Sequence, residues 1–330
     1  MERKMKILLS IFFTLVAAST AFAKPTLTVY APDYFTSEWG PGPKIKQAFE
    51  KICDCDLFYV SGDLMPRLMI EGKRTKADVV IGLNTDVTFK ARKLGIFEAH
   101  EQDTSSLSIP IKWDDKIFLP FDWSHTAFIY DNTKLKNPPK SFNELLNSKD
   151  DIKVIIQDPR TSISGLALVL WVKSIYGSKS EEAFTKLASK VLTVTKGWSE
   201  SYGMFTQGEA DMVLSYTTSP AYHIIAENDK SKSAAIFSEG HYFFTELAAM
   251  TNSSKEPELA KEFMSFILSE TFQRMIPTGN WSFPSKLDRN KLPDEFVNLP
   301  MPKKVLFYTE EEAQKYRDIV IQEWLTAFQK

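Results

Sequence analysis

The chain has 330 residues, 43% of them hydrophobic, and a formal net charge of −2 at pH 7. A chain of this length usually divides into two domains, because a single hydrophobic core stops growing at about 250–300 residues. Proteins that bind nucleic acids usually carry an excess of basic residues, and this chain is slightly acidic. We therefore do not expect DNA or RNA as partners.

The first 23 residues have the pattern of a secretory signal peptide. Three basic side chains lie within residues 3–6, an apolar run follows at Ile7–Ala18, and Ala21–Ala23 is a small-x-small cleavage pattern. We therefore predict removal of residues 1–23 and a periplasmic location for the rest of the chain. No later segment has the roughly 18 consecutive apolar residues of a membrane span, so no direct membrane insertion is expected.

Strands and helices alternate in the next part of the chain. The predicted strands are 27–30, 57–60 and 77–81, and the predicted helices are a segment that begins at Pro43, 64–71 and 89–94. A β-α-β-α-β run of this kind is typical of a mostly parallel sheet that is covered by helices.

Two extended stretches, 117–130 and 237–250, could carry the chain out of one lobe and back. A hinged protein with its ligand between two lobes needs such crossings, although periodicity alone fits one large α/β domain equally well. The other predicted elements are strands 154–156, 191–195 and 212–215, and helices that begin near Ser141 and Thr271 or span 165–175, 181–190, 257–268 and 310–328.

Cys53 and Cys55 are the two cysteines of the chain. In an oxidising compartment we expect them to pair with each other and pin a turn; a free nucleophilic thiol is the alternative. The histidines are few and at no ligand spacing from this pair, which predicts no metal site; they are His100, His125, His223 and His241.

Five segments combine polar side chains, aromatic rings and tight turns, and each is a candidate for lining a ligand site. The hydroxyls of Thr217–Ser219 follow a predicted strand and precede a helix, where they can bind phosphate oxygens. Each segment also has an explanation without a ligand. Segment 33–43 could be a loop held by its prolines, Ser162 or Ser164 could simply cap a helix, and the tryptophans could belong to the core. The segments are 33–43, 157–165, 195–200, 215–223 and 276–281.

Motifs of common enzyme classes are missing from the sequence. It contains no Gly-x-Ser-x-Gly elbow, no Gly-x4-Gly-Lys-Ser/Thr phosphate loop, no His-Glu-x-x-His and no Gly-x-Gly-x-x-Gly. We therefore predict a protein without catalytic residues or cofactor.

The sequence resembles the periplasmic thiamine-binding proteins of ABC importers along nearly all of its length after residue 23. Several of the matching stretches coincide with the candidate ligand segments. The stretches are Lys24–Tyr30 (KPTLTVY), Trp39–Pro43 (WGPGP), Lys76–Val80 (KADVV), Lys134–Pro139 (KLKNPP), Gln157–Ser162 (QDPRTS), Thr193–Glu200 (TVTKGWSE), Leu214–His223 (LSYTTSPAYH), Phe237–Tyr242 (FSEGHY) and Ile276–Trp281 (IPTGNW).

The resemblance implies an α/β fold of two lobes, a type II-like periplasmic-binding-protein fold with mixed sheets flanked by helices and joined by crossover strands. The implied lobes are 24–122 plus 245–330 and 123–244, and the placement of the C-terminal helix is left open. It also implies that the cleft captures thiamine, its monophosphate or its pyrophosphate and delivers it to the permease of an ABC importer.

The resemblance further implies roles for ten side chains. Asp63 is similar to the carboxylate that meets the aminopyrimidine of thiamine. The residues similar to those that contact the phosphate end are Ser162, Tyr216, Thr217, Thr218 and Ser219. The expected aromatic walls are Trp39, Trp198, Tyr222 and Trp281.

Two other functions compete with this interpretation. A thiaminase of similar fold cleaves thiamine with a nucleophilic cysteine, which needs a thiolate in the cleft. A binding protein for another solute, such as ferric iron or a polyamine, is the second rival, and an iron site favours adjacent tyrosine, histidine and carboxylate ligands.

Overall fold

The computed structural model describes residues 24–329. The predicted signal peptide, residues 1–23, lies outside the described residues. Among residues 24–329, no helix is both long enough and apolar enough to cross a membrane.

The first part of the chain has the alternation that the sequence predicts. Its elements are β1 (Thr26–Ala31), α1 (Asp33–Thr36), α2 (Gly42–Cys53), β2 (Asp56–Ser61), α3 (Leu64–Glu71), β3 (Val79–Asn84) and α4 (Thr85–Lys93). Pro43 stands in the first turn of α2, where its missing N–H costs no hydrogen bond. Cys53 is disulfide-bonded to Cys55 across Asp54, which has a left-handed conformation with φ of 48°.

Longer strands and more helices follow. The elements of the middle part are β4 (Leu119–Asp131), α5 (Phe142–Asn147), β5 (Val154–Gln157), α6 (Ile163–Tyr176), α7 (Ser180–Ala188), β6 (Val191–Thr195), α8 (Trp198–Thr206), β7 (Met212–Tyr216), α9 (Ser219–Glu227), β8 (Lys232–Ala235) and β9 (His241–Met250). The last elements are α10 (Pro257–Ile267), α11 (Glu270–Gln273), α12 (Ile276–Gly279), β10 (Phe283–Pro284), α13 (Asp294–Val297), β11 (Val305–Leu306) and α14 (Glu310–Phe328).

The strands join in the order β2-β1-β3-β9-β4-β7-β5-β6. β2 and β3 are both parallel to β1, while β6 and β7 are both parallel to β5. β4 and β9 lie between these two parallel groups and are antiparallel to their neighbours. We call the half built on β1–β3 the first lobe and the half built on β5–β7 the second lobe.

β4 and β9 are the two extended stretches that the sequence predicts as crossings. β4 pairs with β9 over Leu119–His125 and with β7 over Thr126–Tyr130, so one strand belongs to both lobes. The predicted lobe boundaries, 122/123 and 244/245, fall inside these two strands and stay a prediction.

Each lobe has its own aromatic core. In the first, the rings of Phe49 and Phe263 meet at 4.9 Å between α2 and α10. In the second, Phe142 and Trp171 meet at 4.5 Å. Separate cores on the two sides of β4 and β9 leave a cleft between the lobes as the place for a ligand.

The C-terminal helix α14 packs against both lobes. It lies on α4 of the first lobe and on α6 and α7 of the second. Arg92 forms an ion pair of 2.8 Å with Glu310 at its start, and Lys173 forms one of 2.7 Å with Glu323 near its end. The sequence leaves the placement of this helix between the two lobes open, and its contacts join it to both.

Candidate ligand-binding cleft

The strand register brings the carboxyl ends of strands from both lobes to one segment of β4. Asn84, the last residue of β3, is opposite Glu246 of β9, which is opposite Asp122 of β4. Tyr216, the last residue of β7, is opposite Thr126 of β4. Four residues of an extended strand span roughly 13 Å. The loops that follow β3 and β7 therefore face the same short stretch, which is the floor of the cleft.

Three helices begin on the second-lobe side of the cleft. Because β5, β6 and β7 are parallel, α6, α8 and α9 all start at one edge of the sheet. Ser162 is the N-cap of α6, and its Oγ accepts a hydrogen bond from the Gly165 N–H at 3.4 Å. Clustered helix N-termini with hydroxyl side chains can hold an anion, such as a phosphate.

A network of hydrogen bonds holds these helix starts together. Ser164 Oγ donates to Gln157 Oε1 at 2.7 Å, and Gln157 Nε2 donates to Ser201 Oγ at 2.5 Å. Trp198 Nε1 donates to Ser215 Oγ at 2.8 Å, and the Ser215 and Ser219 hydroxyls are 2.7 Å apart. The network fixes the rim before any ligand is present.

Two of the predicted phosphate contacts are engaged inside the protein. The Thr218 hydroxyl is 3.0 Å from that of Ser124, and the Thr217 N–H donates to the His125 carbonyl at 2.9 Å. Both threonines are buried. They fasten the end of β7 to β4. Of the other predicted phosphate contacts, Ser162 and Tyr216 are half-buried and Ser219 is buried.

Aromatic rings form a chain along the same rim. Trp198 stacks on Tyr202 at 4.7 Å, and the Tyr202 hydroxyl is 2.9 Å from His223 Nε2. The rings of Tyr222 and Trp281 meet at 5.1 Å, nearly perpendicular. Trp281 follows α12 of the first lobe, so this contact spans the cleft.

Trp39, the fourth predicted aromatic wall, is 60% exposed. Its loop packs against α12, since a Cβ on Gly279 would be 2.9 Å from Pro41 Cβ. The loop is sharply folded, because a Cβ on Gly40 would lie within 2.6 Å of the Tyr34 and Phe35 carbonyl oxygens. The role of Trp39 as an aromatic wall of the cleft stays a prediction.

Asp63 is the predicted residue that stands apart. It is exposed and follows β2, the edge strand of the sheet, three strand spacings from β9. That separation is roughly 14 Å at the backbone. Its contact with an aminopyrimidine stays a prediction.

Two buried acids occupy the floor where sequence reasoning placed none. Asp122 is 0% exposed and Glu246 is 3% exposed. The Asn280 amide donates to Asp122 Oδ2 and to Glu246 Oε2, each at 2.5 Å, and the Tyr34 hydroxyl donates to Glu246 Oε1. Burial, together with the Glu246 carboxylate, raises the pKa of Asp122 well above its usual range, and burial raises the pKa of Glu246.

Most of the chain matches a known protein family. The family described as bacterial extracellular solute-binding protein matches residues 74–315. This chain belongs to that family.

Individual relatives of this solute-binding protein are similar along almost their whole length. The thiamine-binding periplasmic protein of Escherichia coli (strain K12) is 48% identical over 317 residues, which are 95% of this chain and 96% of the relative. That of Brucella suis biovar 1 is 46% identical over 322 residues, 96% of either chain.

Solved structures confirm the two-lobe fold. A periplasmic thiamin binding protein superposes with a TM-score of 0.89 at 48% identity, covering 93% of this chain and 97% of that one. The iron-bound protein HitA from Pseudomonas aeruginosa has a TM-score of 0.75 at 20% identity, covering 92% and 99%, and this likeness shows the fold alone.

A sequence signal for the missed acids does exist in the solute-binding protein. Asp122 is the single charged residue in Leu119–Ala127, and Glu246 is the single one in Tyr242–Met250. An ionisable residue alone in a buried strand is unusual, because burial penalises its charge. The sequence could not show that these two acids, with Tyr34 and Asn280, meet at one point.

A second group of ionisable side chains lies at the end of α9. Ligand atoms of His223, Glu227 and Asp229 come within 4.8 Å of one another. Both ring nitrogens of His223 already have partners, Glu227 at 2.7 Å and Tyr202 at 2.9 Å. These hydrogen bonds account for the group without an ion.

Proposed function

We propose that this chain is a periplasmic receptor that captures thiamine, or its mono- or pyrophosphate ester, between its lobes. It then presents the vitamin to the permease of an ABC importer. In this proposal the ligand is bound without chemical change and without a cofactor.

One observation carries the proposal. A chain that is 48% identical to a thiamine-binding periplasmic protein gathers aromatic rings, helix N-termini and buried acids around the residue 122–126 segment of β4. Each of these features suits a different part of one small molecule.

The aromatic rim suits the thiazolium ring, which is flat and permanently positive. A cation over the face of a tryptophan or tyrosine gains roughly 0.5–2 kcal/mol, and more when water is excluded. Trp198, Tyr222 and Trp281 are the rings that we expect to make such contacts. Tyr222 and Trp281 contact each other, and Trp198 stacks on Tyr202.

The helix starts suit the phosphate of an ester. The N-termini of α6 and α8 offer backbone N–H groups, and Ser162 and Ser219 add hydroxyls. The first turn of α9 offers fewer, because Pro220 has no N–H and the Ala221 N–H donates to the Thr218 carbonyl at 3.0 Å. Hydroxyl and backbone donors bind phosphate oxygens at a modest cost in desolvation, which lets one corner accept both free and phosphorylated thiamine.

The cysteines support binding rather than cleavage. A thiaminase needs a free thiolate in the cleft. The two cysteines of this chain are joined to each other at the end of α2.

Isothermal titration calorimetry with thiamine, thiamine monophosphate and thiamine pyrophosphate tests the proposal. We expect one binding site for at least one of these ligands, and a rise in melting temperature, because a ligand that binds only the folded state stabilises it. Trp281→Ala should weaken thiamine binding roughly 5- to 30-fold through the lost cation–π contact.

Trp113→Ala is the matched control. Trp113 is a partly buried tryptophan outside the cleft, with Nε1 donating to the Phe118 carbonyl at 2.9 Å. We expect it to lower the melting temperature and leave the dissociation constant unchanged. Absence of any heat or thermal shift with millimolar thiamine, or equal effects of the two variants on affinity, would contradict the proposal.

A further inference from the structure

The buried acids form part of a continuous polar face on the cleft floor. Along β4 and β9, the pairs Asp122–Glu246 and Ser124–Phe244 follow each other on one side of the sheet, and Thr126 continues that side towards Tyr216. The rings of Tyr216 and Phe244 are 5.0 Å apart. The acids therefore adjoin the rim on which the proposed function depends.

The two carboxyl groups lie very close together. They share one donor, the Asn280 amide, so their oxygens are within a few ångströms of each other. Among residues 24–329, no lysine, arginine or histidine forms an ion pair with either acid. Two buried carboxylates so near one another cannot both ionise without a large cost.

The groups that face the pair from neighbouring elements supply no positive charge. They are the phenols of Tyr34 after β1 and Tyr216 at the end of β7, and the neutral amide of Asn280 after α12. Asp86 of α4 acts on Tyr216 from farther away and is itself an acid. The protein thus leaves a negative centre under the cleft without a basic partner.

Unpaired polar atoms beside the pair independently indicate a ligand. Asn84 is opposite Glu246 and so shares its face of the sheet, is 0% exposed, and neither its amide nitrogen nor its oxygen makes a hydrogen bond. The Thr126 hydroxyl, at the other end of the same face, is also buried and unpaired. Buried groups without partners are costly, and a bound molecule would supply those partners.

We propose that Asp122 and Glu246 are the counter-charge for the cationic ring of the ligand, and that binding of this cation releases their shared proton to the solvent. The proton leaves a carboxyl O–H, the pair becomes more negative, and the fixed positive charge of the ligand balances it. This inference rests on the proposed function and names the residues that select a cation.

The ionisation state of the pair explains why the selection is coupled to pH. Burial raises the pKa values of both acids, and the Glu246 carboxylate raises that of Asp122 further, so at least one proton is retained by the closely spaced pair. An opposite charge within about 4–6 Å favours the ionised form. Affinity for the cation should therefore rise as pH increases through the range in which the pair would lose its proton.

The first test is calorimetry of thiamine binding at one pH in HEPES and in Tris, whose enthalpies of ionisation differ and which bring no phosphate to the cleft. We expect roughly one proton to be released per thiamine bound by the unmodified protein. Glu246→Gln should release none, and Glu209→Gln, which removes an exposed charge, should behave like the unmodified protein.

The second test compares thiamine with 3-deazathiamine, a neutral analogue of the same shape. The unmodified protein should prefer thiamine by roughly tenfold or more, and Glu246→Gln or Asp122→Asn should reduce that preference to near unity. The ratio cancels any general weakening of the cleft in a variant.

The outcomes separate the two proposals. If the unmodified protein fails to bind thiamine, the proposed function is wrong. If it binds thiamine but releases no proton and shows the same preference in all variants, the counter-charge inference is wrong and the proposed function stands.

Discussion

Asp86 illustrates how a single buried side chain sets the response of this protein to pH. It lies in the first turn of α4 and accepts a hydrogen bond of 2.9 Å from the Tyr242 hydroxyl of β9. Burial raises the pKa of Asp86 from 3.8 to about 7. The neutral carboxyl is therefore favoured in the folded state.

We expect the stabilisation from neutral Asp86 to be complete below pH 4 and to be lost as pH rises through about 7. Each unit of pKa shift corresponds to about 1.4 kcal/mol, so the loss amounts to a few kcal/mol at most. We compare the free energy of unfolding of the unmodified protein with that of Asp86→Asn. The difference, unmodified minus variant, should decrease as pH is raised from 4 to 8.

The difference between the two proteins isolates this effect. His125 and His241 also make stability depend on pH in this range, because burial lowers their pKa values from 6.5 to about 3 and about 4. Their contribution is lost as pH falls, but it is common to both proteins and cancels. Parallel stability curves would show that Asp86 keeps its charge on folding.

Single residues also mark the limit of prediction from sequence. Trp198, Tyr222 and Trp281 were predicted as one aromatic group, and the structure brings Tyr222 and Trp281 into contact. Asp122 and Glu246 could not be predicted as site residues, because the side chains around them come from segments far apart in the chain. Local patterns carry no information about which distant side chains will surround an acid.

The position of helix α6 depends on how closely its first turn approaches the end of β5. Gly165 is the third residue of the helix, and a Cβ there would be 2.5 Å from the Gln157 carbonyl oxygen and 2.8 Å from that of Asp158. The missing side chain allows the helix start to reach the rim of the cleft.

We expect Gly165→Ala to destabilise the protein by roughly 1–3 kcal/mol, because the added methyl group overpacks this contact. Gly203→Ala in α8 is the matched control, since a Cβ there meets no atom within 4 Å. It should stabilise the protein by up to about 1 kcal/mol through the lower entropy of the unfolded chain. Urea unfolding of both variants checks the opposite signs, and a shared sign would contradict this account of α6.

Most elements could be predicted because their signals are local. The predicted helix 310–328 matches α14, where Thr309 and Glu312 form a capping box. The predicted helix 89–94 begins later than α4, because Asn84 and Thr85 at its true start carry no apolar periodicity. α8 is missing from the predicted elements, where 195–200 is only a candidate ligand segment.

The order of the strands in the sheet and the position of α14 could not be predicted from local sequence patterns. β3 and β4 follow each other along the chain, but in the sheet β9 lies between them. Hydrophobic periodicity does not reveal such an insertion. α14 is amphipathic, but the sequence does not show that its buried face rests on both lobes.

The ion pair between Lys173 and Glu323 should be important for this attachment. The side chains are 9% and 19% exposed, and Ser180 donates a further hydrogen bond to Glu323 at 2.5 Å. We expect Lys173→Met to lower the free energy of unfolding by roughly 2–3 kcal/mol, because Glu323 would remain half-buried without a cation.

Lys186→Met is the comparison for this variant. Lys186 pairs with Glu182 at 3.5 Å in an exposed position, where an ion pair contributes about 0–1 kcal/mol. Thermal or chemical unfolding of the two variants should show a clear difference. Equal losses would mean that α14 is held by its apolar face alone.

The last helix also determines when the second lobe can finish folding. Val320 and Trp324 of α14 belong to the same core as Phe142 and Trp171, from the middle of the chain. A polypeptide that is exported N-terminus first reaches the far side of the membrane with this core still open. We therefore expect the exported chain to gain its full resistance to proteases only after its final segment has emerged.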